Sequence, residues 1–126
     1  MRTGARLVRI GCVLLIVAIA AAAADGLSAA ERTRIEALIA AVAGMTDVAF
    51  IRNGRSYDAG TAAEFLRRKW QRHAAEVRSA EDFIDKIAST SSTTGEPYRI
   101  RFADGRERPC ADALREELEQ IRTKVR

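Results

Sequence analysis

The sequence predicts an α+β fold, with about four helices packed on a small antiparallel sheet of two short hairpins. Three observations predict it. Apolar residues recur at helical spacing in four separate segments. Two short β-type runs are each closed by a turn dipeptide, Asn53-Gly54 and Asp104-Gly105. The order is helix, hairpin, helix, helix, strand pair, helix, which suits helices gathered against an antiparallel sheet.

Ser28-Ala-Ala-Glu31 reads as a capping box, with Ser28 as N-cap and Glu31 reaching back. Ile35, Leu38, Ile39 and Val42 then mark one face of a helix over 29–43, and Gly44 stops it. Val48 to Arg52 is a short β-type run, and Asn53-Gly54 is a type I′ hairpin signal with Arg55–Tyr57 as the return strand. Asp58 caps the second helix. Ala59, Ala62, Ala63, Leu66 and Trp70 line one side of it, with Phe65 on the flank. Glu64 and Arg68 form an i, i+4 pair, and Lys69 is expected to be solvated or to snorkel. Ser79 caps a third helix with Phe83, Ile84 and Ile87 inward.

The segment Ser89 to Thr94 is a run of hydroxyl residues leading to Gly95 and Pro97. Beyond it, Tyr98, Ile100 and Phe102 alternate with Arg99 and Arg101, the period of a strand with one buried face. The last helix begins near Pro109, with Cys110 as N-cap and Leu114, Leu118, Ile121 and Val125 inward. The two hairpins are expected to join in one sheet, since a lone hairpin is barely stable.

The first residues carry a different signature. Arg2, Arg6 and Arg9 precede an uncharged stretch from Ile10 to Ala24, with small residues before Asp25. That is the pattern of a cleaved signal peptide, Met1 to Ala24. The apolar stretch is shorter than the about 20 residues a membrane span needs. The expectation is therefore export to the periplasm, with residues 25–126 as a single domain and no transmembrane segment after cleavage.

Subtracting the leader alters the charge. The whole chain has 21 basic and 17 acidic residues, a net +4. The leader holds three of the basic residues and no acid, so the remainder carries only +1. Nucleic-acid binding needs a concentrated basic face, and that class is set aside. One cysteine, Cys110, remains, so no intramolecular disulfide forms and the fold rests on packing.

Several blocks carry a resemblance. Phe50-Ile-Arg-Asn-Gly54 with Tyr57, Ala62-Ala63, Leu66-Arg67 and Lys69-Trp70 come first. Ser79 to Asp85, Ala88-Ser89, Ser91-Ser92, Gly95, Pro97-Tyr98 and Gly105 follow in order. This arrangement resembles the YfeK-like family of small exported proteobacterial proteins, a domain of unknown function. The chain departs from that pattern at Phe65, where His is frequent, at Thr94, where Ser is usual, and at Cys110, where Ser is found. The resemblance implies export and a single domain, and it implies no activity.

The candidate ligand-binding residues are Arg52, Tyr57, Ser91, Ser92, Thr94, Tyr98 and Arg99. The turn accounts for Asn53 and Gly54 but does not demand Arg52 or Tyr57. Hydroxyls and turn amides of the Ser89–Thr94 run suit an anion, a sugar or a peptide carboxylate. The leading expectation is a non-enzymatic envelope protein that binds an anionic or polar ligand, or a partner protein, as a monomer or weak dimer. An alternative is a small hydrolase or transferase using Ser91, Ser92 or Cys110 with His73, which requires His73 within hydrogen-bond reach. A third is a structural or stress-related protein without a pocket. His73 is the single histidine, too few ligands for a metal site, and no cofactor is implied.

Overall fold

The computed structural model describes residues 26–124. The leader expected at Met1 to Ala24 lies outside the described residues, as does Val125. Helix α1 is Ala29–Gly44, strand β1 Ala49–Arg52, strand β2 Arg55–Tyr57 and helix α2 Ala59–Arg72. A 3-10 turn, Ala74–Glu76, leads to α3, an α-helical turn Ala80–Asp82 that widens into π-helix over Phe83–Ile87. Strands β3, Arg99–Arg101, and β4, Glu107–Pro109, precede helix α4, Cys110–Lys124.

Local chemistry explains the boundaries. The Ser28 hydroxyl accepts from the Glu31 N–H at 3.1 Å, Asp58 accepts from Thr61 at 2.8 Å, and Ser79 accepts from Asp82 at 3.0 Å. Each satisfies one of the orphan N–H groups at a helix start. The expected reciprocal half of the first capping box is absent. Glu31 instead accepts from the Ala80 N–H at 2.7 Å and pairs with Arg34. It thus ties the start of α1 to the start of α3, a better-buried partner than its own cap. Asn53 and Gly54 have φ of 52° and 79°, the left-handed pair a type I′ turn requires.

The two hairpins do join. All strand pairs are antiparallel, in the order β2-β1-β3-β4. Directly opposed residues share a face. Phe50 lies opposite Tyr57 on one side and Ile100 on the other, so these three look the same way. Ile51, Ser56 and Arg99 occupy the opposite face.

The core fills the helix side of the sheet. Phe50 and Ile100 meet Ile35, Leu38 and Val42 of α1, Leu66 and Trp70 of α2, and Leu114 and Leu118 of α4 in one cluster. Phe83, Ile84 and Ile87 are fully buried at its centre. The π turn is closed by the Ala88 N–H on the Phe83 carbonyl at 3.1 Å, and Ser89 Oγ donates to the Ile84 carbonyl at 2.7 Å. Trp70 and Phe83 meet edge to face, centroids 5.9 Å apart. Among the described residues no helix is long and apolar enough to cross a membrane.

Candidate functional site

A pocket of about 210 Å³ opens between α2 and the β2–β1–β3 part of the sheet. Its floor is apolar: Phe50, Ala62, Phe65 and Leu66, with the buried Cys110. Its polar contributors are Arg52, Tyr57, Thr61, Arg68, Tyr98 and Arg99, and no carboxylate lines it.

Arg52 is the distinctive member. It ends β1, one residue before the turn, and its guanidinium carbon stands 4.5 Å from the centroid of Phe65. Its Nε is buried and has no hydrogen-bond partner among the described residues. None of the described ion pairs includes Arg52 or Arg99. Arg68 differs, being held by Glu64 at 3.1 Å. A buried polar hydrogen without a partner costs about 1–3 kcal/mol, a cost that an acceptor reaching it removes.

Behind the pocket wall lies a buried cation. Lys69 is only 2% exposed, against the expectation of a solvated or snorkelling side chain. The α2 helix turns it toward β3, where its Nζ donates to the Thr90 carbonyl at 2.8 Å and to the Tyr98 hydroxyl at 3.0 Å. Neutral oxygens from a non-local segment therefore hold it inside. Burial, then the charges of Arg52 and Arg72, bring its pKa down from 10.5 to about 8. Burial raises the Tyr98 phenol, and the Arg52 guanidinium partly opposes that. Tyr98 also meets Phe65 edge to face at 5.9 Å. Arg52, Phe65, Tyr98 and Lys69 thus form one continuous cation–aromatic chain.

The seven residues singled out from sequence divide into two groups. Arg52, Tyr57, Tyr98 and Arg99 line the pocket, although the pleat sets the exposed Arg99 side chain on the other face from Tyr98. Ser91, Ser92 and Thr94 do not line it. Ser91 is buried, and its hydroxyl accepts from Asn53 Nδ2 at 3.1 Å and lies 3.0 Å from Thr93 Oγ1. Thr94 donates to Asn53 Oδ1 at 2.6 Å, and Ser92 is exposed. Asn53, accounted for from sequence by its turn alone, clamps the hydroxyl-rich loop onto the hairpin.

Cys110 is the first residue of α4, not its N-cap, because β4 runs straight into the helix. Its N–H donates to the Tyr98 carbonyl at 2.8 Å. The thiol is buried, and desolvation pushes its pKa up to about 12, the opposite of an activated thiol. His73 caps the end of α2 and its Nδ1 lies 3.1 Å from Glu76. Among the described residues it makes no hydrogen bond with Ser91, Ser92 or Cys110, so the pairing that the His73 alternative needed is not formed there. Among the described residues no group of three or more His, Cys, Asp or Glu side chains could hold a metal ion.

Sequence reasoning missed Thr61, Phe65 and Lys69 as parts of this region.

Fold and site together define a small α+β domain with an acid-free, cation-bordered apolar pocket on its sheet. The chain belongs to a family of unknown function (DUF5329), which matches residues 29–122. It is 37% identical over 90 residues to the "Uncharacterized protein YfeK" of Salmonella typhimurium, a span covering 71% of this chain and 75% of that protein. No solved structure matches it significantly. Residues 29–122 contain every strand of the described residues and all of the pocket residues.

Proposed function

We propose that this is an exported, non-enzymatic binding protein whose pocket takes an anionic group attached to an apolar one. The observation that carries the reading is the buried Nε of Arg52, without a partner among the described residues, in a pocket without carboxylates. The apolar floor supplies a hydrophobic contribution, and Arg52 supplies the charge and the donor. The Phe65 ring beneath the guanidinium holds it flat, so little side-chain entropy remains to be lost on binding. Export is supported by the basic, apolar and small-residue order of Met1 to Ala24.

Isovalerate, a small branched carboxylate, is the direct probe. Titrated into 15N-labelled protein, it should shift the amides of Phe50–Arg52, Tyr57 and Thr61 saturably. Arg52→Met should keep the fold and weaken binding at least tenfold, and isobutanol should not compete. Absence of saturable shifts, or equal affinity in Arg52→Met, refutes the reading. For export, the N-terminus of the protein recovered from cells should be Asp25, and an intact Met1 in the cytosolic fraction overturns that part.

A further inference from the structure

The pocket is small and stands beside an open sheet edge. Pockets that bury a drug-sized ligand run to about 300–1,000 Å³. The pocket here, about 210 Å³, holds one medium side chain, so the rest of a larger ligand must lie outside. Tyr57, on the edge strand β2, lines the pocket and marks where it meets that edge.

The two sheet edges differ. On β4, Pro109 lacks an N–H, and Glu107 is paired to Arg101 at 2.8 Å. Proline and charge are the usual protection of an edge. On β2, Arg55 and Ser56 are exposed, and the strand has neither proline nor acid. A two-residue turn makes Arg52 and Arg55 a hydrogen-bonded pair, and Phe50 with Tyr57 the next one. Ser56 therefore points its N–H and C=O away from β1, toward the free edge.

Charge sets a direction. Arg55 and Arg52 stand together at one end of β2, and the Asp58 carboxylate stands just past the other. A strand laid antiparallel on β2 ends beside the arginines. A parallel one ends beside Asp58, where its terminal carboxylate is repelled.

We propose that the occupant is the C-terminal segment of a polypeptide, added antiparallel to the β2 edge, with its last apolar side chain in the pocket and its carboxylate facing Arg52 and Arg55. This inference rests on the anionic-ligand reading above and adds the edge of β2 to it. Main-chain bonds at Ser56 supply affinity independent of sequence, and the pocket selects the terminal side chain.

The test uses the mature chain and an acetylated five-residue peptide of alternating Thr and Val ending in leucine. The free acid should bind at least tenfold more tightly than isovalerate, and its C-terminal amide at least tenfold more weakly than the acid. Ser56→Pro should weaken the peptide tenfold and leave isovalerate unchanged. Single N-methylation of the peptide, which leaves the protein untouched, should weaken binding at alternate positions only. Arg52-dependent binding of isovalerate with no gain for the peptide, or with no effect of N-methylation, overturns the peptide inference and leaves the binding reading standing. Failure of both ligands to bind overturns both.

Discussion

Raising the pH should make the protein more stable through Lys69. The ammonium is buried among neutral oxygens, with Arg52 and Arg72 as its charged neighbours. Its pKa falls from 10.5 in the unfolded chain to about 8 in the fold. Below the folded pKa the group is charged in both states, and the fold carries the whole penalty. Between the two values the unfolded chain holds a proton the fold does not, so stability rises with pH. At about 1.4 kcal/mol per unit, the full effect is about 3 kcal/mol. Roughly 1 kcal/mol of it is recovered between about pH 7.5 and about pH 9. In a domain of this size that corresponds to a rise of about 4–8 °C in Tm. Cys110, raised to about 12, and Tyr98 act in the other direction, losing stability only as pH passes their unfolded values. The comparison is therefore wild type against Lys69→Met, by urea denaturation at both pH values. The stability difference between the two should move by roughly 1 kcal/mol in favour of the wild type at the higher pH. Parallel profiles refute the argument that a desolvated cation sits at this position.

Asn53→Ala removes the bonds to Ser91 and Thr94 and places a Cβ residue without a compensating amide at positive φ; it should cost about 2–3 kcal/mol in urea denaturation. Asn53→Gly relieves the backbone part alone and should cost about 1 kcal/mol less; equality of Asn53→Gly with wild type shows that the clamp contributes nothing. Phe83→Ala empties the centre of the core and breaks the contact with Trp70, so a loss of about 3–5 kcal/mol is expected from the same assay, and a loss below about 1 kcal/mol contradicts the packing described. The Cys110 thiol should resist an aromatic disulfide reagent in the native protein and react fully in denaturant; rapid stoichiometric labelling of the folded chain at pH 7.5 contradicts its burial.

Most of the secondary structure was legible in the sequence because it is determined locally. Ser28, Asp58 and Ser79 cap helices through bonds spanning three residues. Asn53-Gly54 turns the chain through its own φ preferences. Helical spacing named Ile35, Leu38, Leu66, Phe83 and Leu114 as inward, and each is buried. The π-helical widening of α3 was not legible, since Phe83, Ile84 and Ile87 keep the spacing of an ordinary α-helical face. The site was legible in part. Arg52 and Tyr57 stood out because the turn did not require them, whereas Lys69 looked like any lysine on an arginine-rich helix face.

The sequence by itself determined most of the helices and strands, where three of the helices begin, and which face of each is apolar, because caps, turns and periodicity act over a few residues. It also carried the family resemblance, block by block. Only the tertiary structure decided what the polar residues do. Glu31 left its own helix for Ala80, Asn53 took hold of a loop 38 residues away, and Lys69 found Thr90 and Tyr98. Only the folded sheet set Arg52 above Phe65 and left its Nε without a partner among the described residues. Burial and hydrogen-bond pairing at these positions depend on segments distant in the chain, and no local pattern encodes which of them arrives.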